Sequence, residues 1–334
     1  MRVARAVWPC ATIEGVSAFP LASVAPINGI VPSALVLLCW LPYRARAQRL
    51  ANEGRAVPGW RQACYAAGLL VLALALSWPV DNLADQLLVA HMAEHLLIGD
   101  GAALLIVLGL TGPLLAPLLR NRFIAPLRIL THPVVALVTW AVNFYVWHLP
   151  ALYQLALRHD SIHALQHASF LVFGIAMWMA LLGPLPKPAW FTNSWRLVYI
   201  IVVRLIGTVL ANVLIFGGTV FYPIYRAGDA HWHISPLGDQ VAAGGLMMVE
   251  ESLLTIGLFC WLFLRVARES EERQELLDYA SSHGLALDER RAARAVAAGR
   301  GAELRERLRQ RAHETGGSAP PADAPARAPT SSAT

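Results

Sequence analysis

Residues 86–117 read QLLVAHMAEHLLIGDGAALLIVLGLTGPLLAP, an apolar run that contains two histidines and one glutamate. A helix needs about 20 mostly apolar residues to cross a hydrocarbon core of about 30 Å, because each residue advances it by about 1.5 Å. This run is therefore long enough to span a membrane. Gly112, Pro113 and Pro117 predict that its far end breaks or bends before Arg120.

Other apolar runs of membrane-spanning length recur along the chain. The 334 residues are 56% hydrophobic and only 15% charged, more apolar than a soluble domain of this size needs. We expect an all-α fold, a polytopic transmembrane helix bundle of about seven spans. The predicted spans are residues 21–42, 62–80, 86–117, 133–149, 163–183, 195–217 and 240–265.

Basic residues in alternate loops predict the orientation of the bundle. Loops 43–61, 118–132 and 184–194 contain most of the loop arginine and lysine, which resist translocation, and the intervening loops contain few. The N-terminus is therefore expected outside and the C-terminus inside. The net charge of +5 is explained by these loops and the tail, so the lipid bilayer is the expected partner and nucleic acid is not.

Composition divides the chain into four regions. Residues 1–20 form an N-terminal segment and residues 21–266 the seven-helix transmembrane domain. Residues 267–315 are rich in Arg, Glu, Ala and Leu, which predicts a charged helical cytoplasmic tail. Residues 316–334 have almost no large apolar side chain and are expected to be disordered.

The third predicted span places three polar side chains together. His91 and His95 lie at positions i and i+4 of one helical face, with Glu94 beside them. Burying this face is costly unless the groups are hydrogen-bonded, bind a metal or line a wet cavity. The string also matches the inverted zinc-protease pattern, but no third ligand or substrate cleft is evident, so we expect no enzyme.

A second histidine pair and a single histidine are expected near the same face of the membrane. His163 and His167 open the fifth span at i and i+4, and His148 closes the fourth. Facing helices of a bundle can supply two to four imidazoles to one ion. The convergence predicts a metal or proton site, with hydrogen bonds between helices as the structural alternative.

Further residues are weaker candidates for ion binding. His231 and His233 of the last outer loop form a plausible capture site, and Met247 and Met248 lie in the seventh span. Thioether with imidazole favours copper, since thioether selects Cu(I) and imidazole accepts either oxidation state. The four cysteines are widely spaced, which gives no support for a thiolate site.

Charged residues inside the predicted spans form a separate group. Glu250 and Glu251 of the seventh span lie at depths compatible with Arg204 and Asp100. Charges inside a membrane are costly and usually face the bundle interior. Two interpretations stay open here, a salt-bridge network that fixes helix order and a relay for cations.

The chain resembles the CtaG-type assembly factors of caa3-type cytochrome c oxidase. The resemblance covers about residues 30–270 and rests on five short motifs: His91-Met92 with His95-Leu96-Leu97, Trp147-His148-Leu149-Pro150 through Tyr153, His163 with His167, Thr219-Val220-Phe221-Tyr222, and Asp239-Gln240 leading to Gly245 and Met247-Met248. It implies a multi-pass plasma-membrane protein that helps to form the oxidase, with copper handling as the proposed role. His91, His95, His148, His163 and His167 are the matching histidines.

Three functions follow as hypotheses. The first is an assembly factor that binds copper through outer-side histidines and contacts cytochrome c oxidase subunits. The second is a b-type haem electron carrier, because paired histidines on facing helices can ligate haem. The third is a proton or ion transporter that uses Glu250, Glu251 and Asp100. We favour copper as the cofactor and do not expect haem.

Overall fold

The computed structural model describes residues 27–122, 125–297 and 299–316, and every regular element in them is helical. The predicted N-terminal segment, the first residues of the first predicted span and nearly all of the predicted disordered C-terminus lie outside the described residues. The all-α prediction is confirmed for the part of the chain that the structure describes, which contains no strand.

Fourteen α-helices follow one another along the described residues. They are α1 (Ile27–Asn52), α2 (Gly59–Ala75), α3 (Val80–Ala84), α4 (Leu88–Leu96), α5 (Ala103–Gly109), α6 (Gly112–Arg120), α7 (Pro133–Trp147), α8 (Pro150–Arg158), α9 (Asp160–Leu181), α10 (Asn193–Phe216), α11 (Arg226–His231), α12 (Pro236–Ser282), α13 (Glu289–Ala297) and α14 (Gly301–Gly316). A π-helical turn, Leu97–Ala102, joins α4 to α5 without a break.

Four helical segments in the described residues are long and apolar enough to cross a membrane. They are Leu88–Gly109, Asp160–Leu181, Asn193–Phe216 and part of α12. A fifth is formed if α7 and α8, bent by 74° at their junction, count as one span. Each of the seven predicted spans contains a helix, but α2 has only 17 residues. The number seven and the orientation of the termini stay predictions.

The third predicted span breaks where its glycine and prolines predict. Helix α5 ends at Gly109, and Leu110 and Thr111 have extended backbone conformations before α6 begins at Gly112. Pro113 lies in the first turn of α6, where a missing amide hydrogen costs nothing. The apolar run therefore forms one long helical segment and a short separate helix.

Glycines allow close contact between the helices that surround the histidines. A Cβ atom on Gly174 of α9 would lie 2.3 Å from the carbonyl oxygen of Gly99 in the π-helical turn. A Cβ atom on Gly68 of α2 would lie 2.8 Å from the amide nitrogen of Ile106. Small residues are the usual means by which apolar helices approach in a membrane. The first contact holds α9 against the helical segment that contains His91 and His95, and the second holds α2 against α5.

The chain separates into two compact units. The first contains residues 27–191 and Val202–Ser252, and the second contains Thr192–Ile201 and residues from 253 onward. In the second unit the end of α12 packs with α13 and α14 around an apolar core of Leu276, Ala280, Val296, Leu304 and Leu308. The described residues of the predicted tail form the end of α12, α13 and α14. Helix α12 runs through the predicted domain boundary at residue 266 and ends at Ser282.

Candidate metal centre

Helix α4 buries the polar face that the sequence predicts. His91 and Glu94 are 0% exposed and His95 is 5% exposed. The rings of His91 and His95 lie 4.3 Å apart between centroids. Neither ring nitrogen of either histidine has a hydrogen-bond partner, and neither oxygen of Glu94 has one. Buried polar groups normally have partners, so this face has donors and acceptors that are free for a ligand.

The start of α4 is fixed by a carboxylate from a distant helix. Asp239 near the start of α12 accepts hydrogen bonds from the backbone amides of Leu88, at 2.6 Å, and Val89, at 3.0 Å. These amides have no partner inside α4, and a carboxylate at a helix N-terminus also interacts favourably with the helix dipole. Asp239 therefore sets where the helix that holds His91 begins.

The neighbouring Gln240 fixes the loop before α11 in a similar way. Its side-chain oxygen accepts a hydrogen bond from the amide of Phe221, and its side-chain nitrogen donates to the carbonyl oxygens of Leu214 and Thr219. The sequence motifs drew attention to Asp239 and Gln240, but the sequence alone did not reveal these roles. Both residues position elements, and none of the hydrogen bonds described for them goes to a histidine.

Helix α9 supplies the second histidine pair. Asp160, His163 and His167 share one face of this helix, and His167 is 8% exposed while His163 is partly exposed. The ring of His163 stacks on that of His91 at a centroid distance of 5.2 Å, and His167 lies 6.2 Å from His91. The structure thus brings the two predicted pairs together.

Three of these histidines lie close enough together to bind one ion. His91, His163 and His167 each offer a ring nitrogen, and these three atoms lie within 4.8 Å of one another. Nitrogens bound at about 2.0 Å to one tetrahedral ion lie about 3.3 Å apart, so small side-chain rotations would bring the three nitrogens to that spacing. The Nε2 atoms of His163 and His167 are buried without a hydrogen-bond partner.

Glu94 and His95 border this group. An oxygen of Glu94 lies 3.7 Å from Nε2 of His167, and the ring of His95 lies 5.4 Å from that of His167. A carboxylate here can offset the positive charge of a bound ion or act as a fourth ligand. The structure therefore places the less certain candidate Glu94 beside the histidine group.

His148 lies at the edge of the cluster with one nitrogen already occupied. Its Nδ1 atom lies 2.7 Å from the carbonyl oxygen of Phe144, so Nδ1 carries the hydrogen and donates it. Nε2 then has a free lone pair, and it is buried without a partner. A hydrogen bond from the other nitrogen to a carbonyl is typical of metal-bound histidine. The His148 ring lies 6.4 Å from that of His95.

Tyrosines form an aromatic wall on one side of the cluster. Tyr153 and Tyr225 lie 5.1 Å and 6.4 Å from His91 between ring centroids, and their hydroxyls are 3.0 Å apart. Tyr222 donates a 2.7 Å hydrogen bond to the carbonyl oxygen of His148. Sequence reasoning missed Tyr225, and the only signal was its position three residues after the family motif that ends at Tyr222.

The outer-loop histidines lie elsewhere. His231 and His233 are exposed on either side of Trp232. Among the described residues, the group that can share one ion contains neither of them. Met247 is buried in α12 and Met248 is partly buried, and no described contact joins either thioether to the histidines. These four residues stay predicted candidates.

The predicted intramembrane charges are only partly brought together. Arg204 forms a 2.6 Å ion pair with Glu251 and donates a second hydrogen bond, 2.8 Å, to Ser252. Oε2 of Glu250 is buried without a hydrogen-bond partner. Asp100 lies within electrostatic range of Glu250 but forms no ion pair with Arg204 among the described residues. Of the predicted network, the structure contains the ion pair between Arg204 and Glu251.

The fold and the cluster define a helical protein with membrane-length apolar segments and a buried imidazole group. The chain belongs to the Caa3_CtaG family, the cytochrome c oxidase caa3 assembly factors, because the sequence model of that family matches residues 37–269. The match includes every histidine of the cluster and leaves out α13 and α14. This agrees with the resemblance seen in the sequence.

Two curated relatives are similar over a comparable length. One uncharacterized protein from Mycobacterium bovis and one from Mycobacterium tuberculosis are each 25% identical to the chain over 279 residues, which is 76% of this chain. The chain spans only 42% of the length of each of these relatives. No solved structure matches the chain.

Proposed function

We propose that this protein assists the formation of cytochrome c oxidase in the plasma membrane and that its cargo is a copper ion. His91, His163 and His167 would hold the ion. The observation that carries the proposal is the convergence of their three ring nitrogens within 4.8 Å. Membership of the caa3 assembly factor family supports the oxidase as the partner.

The donor set fits copper better than a hard cation. Neutral imidazole nitrogen binds copper in either oxidation state, whereas calcium and magnesium prefer oxygen ligands. The described cysteines, Cys39, Cys64 and Cys260, are free, and none belongs to the histidine group. Transfer would therefore begin from nitrogen ligands of this chain and proceed by ligand exchange with a docked oxidase subunit.

Exposure suggests the order in which the ligands meet the ion. His163 is partly exposed, whereas His91 and His167 are buried. An ion that arrives from outside the bundle would contact His163 first and then move to His91. In this account His231 and His233 would at most concentrate ions at the surface, because both are exposed.

A strain that lacks this protein provides the test of the oxidase role. Complementation with the wild type should restore oxidase activity and the copper content of the purified oxidase, and complementation with His163→Ala should restore neither. His231→Ala removes the same side chain from an exposed position and should behave as the wild type. Normal copper content of the oxidase in the His163→Ala strain would contradict the proposal.

Transport of protons or ions is the second candidate, favoured by the buried and unpartnered oxygen of Glu250. The ion pair with Arg204 already neutralises Glu251, so Glu250 would be the residue that binds the transported proton. Proteoliposomes test this candidate directly. A flux that Glu250→Gln abolishes and His163→Ala leaves intact would favour transport over copper handling.

A further inference from the structure

The C-terminal unit contains a cavity that is bordered by arginine. The lining of a partly open cavity of about 290 Å³ includes four arginines: Arg291 and Arg294 of α13, Arg300 just before α14, and Arg307 within α14. Glu303 is the one carboxylate among its lining residues. The cavity lies outside the region that the family shares, and neither the histidine centre nor the oxidase proposal uses it.

Four arginines elsewhere in this unit have carboxylate partners. Arg265 pairs with Glu269, Arg273 with Glu289, Arg305 with Glu275 and Arg309 with Glu306. In contrast, no ion pair is found for Arg291, Arg300 or Arg307 among the described residues of the tail, and Arg294 donates only to the carbonyl oxygen of Arg290. Four guanidinium groups therefore border one cavity with a single carboxylate, Glu303, beside them and no ion pair among the described residues.

The packing of the unit holds these like charges near one another. Ala292 and Val296 of α13 and Leu304 and Leu308 of α14 are buried on the inner faces of the two helices. Gly299 has a φ of 69°, which lets the chain turn between them. Four guanidinium groups around one cavity repel each other, and an anion between them would relieve that repulsion.

We infer that this cavity binds a phosphate-bearing anion with two or more negative charges. Guanidinium is planar and donates paired hydrogen bonds that match phosphate oxygens, and several arginines around one site match a doubly charged group. The ligand could be the headgroup of an anionic phospholipid or a soluble diphosphate. Both have the same recognition chemistry, and binding experiments separate them.

The experiment uses the full chain in nanodiscs. In the first arm, inorganic pyrophosphate is titrated by calorimetry into protein in phosphatidylcholine discs. In the second arm, cardiolipin, whose headgroup carries two phosphates, is added to the discs and amide hydrogen exchange is measured over residues 289–309. Saturable pyrophosphate binding indicates the soluble source, and slower exchange with cardiolipin alone indicates the lipid source.

Two triple variants with equal loss of charge give the decisive comparison. Arg291→Gln with Arg300→Gln and Arg307→Gln removes the unpaired groups at the cavity and should weaken binding in the responding arm by about tenfold or more. Arg268→Gln with Arg290→Gln and Arg309→Gln removes the same charge outside the cavity and should retain binding. Equal weakening in both variants, or no response of the wild type in either arm, would overturn the inference.

Folding of the variants is checked in the same experiment. Hydrogen exchange over α13 and α14 without any anion should match the wild type, because the core of Leu276, Val296 and Leu304 does not include the substituted side chains. The outcome is independent of the copper proposal, since no histidine of the cluster is changed.

Discussion

The Asp239 carboxylate accepts a 2.6 Å hydrogen bond from the backbone amide of Leu88, a residue 151 positions earlier in the chain. This contact joins the beginning of α12 to the beginning of α4. Because His91 and His95 lie within two turns of that point, the geometry of the histidine group depends on a residue that contacts no histidine.

Replacing Asp239 should therefore affect both stability and metal binding. We expect Asp239→Ala to lower the free energy of unfolding by about 1–2 kcal/mol, the usual cost of losing a helix cap, and to weaken metal binding. Asp239→Asn keeps an oxygen acceptor and should be milder on both counts. Thermal unfolding and a metal titration in one detergent check this. Wild-type metal affinity in Asp239→Ala would show that the cap does not position the site.

A methyl group between α9 and the π-helical turn should be poorly tolerated. Gly174→Ala would place a Cβ atom 2.3 Å from the carbonyl oxygen of Gly99, a backbone atom that cannot rotate away. We expect a loss of roughly 2 kcal/mol in stability. Gly245→Ala is the matched control, because a Cβ atom there meets nothing within 4 Å.

Thermal unfolding of the two glycine variants checks this second prediction, with metal content as an additional readout. A shift of α9 would move His163 and His167 away from His91, so Gly174→Ala should also retain less metal. Equal stabilities of the two variants would contradict the prediction, because they would mean that α9 can move away from the π-helical turn without loss of stability.

Asp229, which lies beside Asp239 outside the histidine cluster, predicts a pH dependence of the free energy of unfolding. Burial, together with the charge of neighbouring Asp239, raises the pKa of Asp229 from its ordinary value of 3.8 to about 6. The folded protein therefore binds this proton more tightly than the unfolded chain. The stabilisation from the proton is complete below about pH 4 and is lost as pH rises to about 6.

Asp229→Asn replaces the protonated acid with a neutral amide and should remove this loss. Its midpoint of thermal unfolding, relative to the wild type, should rise between about pH 4 and about pH 6 and stay constant above. All other ionisable groups are present in both proteins, so their effect cancels in the difference. Glu271→Gln, at an exposed position, is the control. A difference that does not change with pH would contradict the prediction.

Histidine spacing made much of the candidate site predictable. Residues at i and i+4 must share a helix face, so His91 with His95 and His163 with His167 were each predicted as pairs. Their similar depth in two apolar segments then predicted that the pairs meet. The ion pair between Arg204 and Glu251 was predicted by the same argument from depth, since a charge in an apolar segment needs a partner.

Other features depend on contacts that sequence spacing does not encode. The cap on α4 comes from Asp239, the aromatic wall includes Tyr225 from a separate loop, and the π-helical turn after Leu96 has no sequence signal that we recognised. Helix α12 also runs past residue 266, where the composition changes, because strong helix formers continue to Ser282.

Absorbance spectroscopy separates copper from haem. If the paired histidines ligate haem, the purified protein has a Soret band that His91→Ala and His163→Ala remove. We expect a preparation without this band. A Soret band that His163→Ala abolishes would favour an electron carrier over an assembly factor.

Metal analysis of the purified full chain, without added metal, tests the central claim most directly. We expect about one copper ion per chain in the wild type, because the three nitrogens form one group, and the same content in His231→Ala. His91→Ala and His163→Ala should each lose most of it. Equal copper content in all four proteins, or none in the wild type even after incubation with copper, would contradict the account.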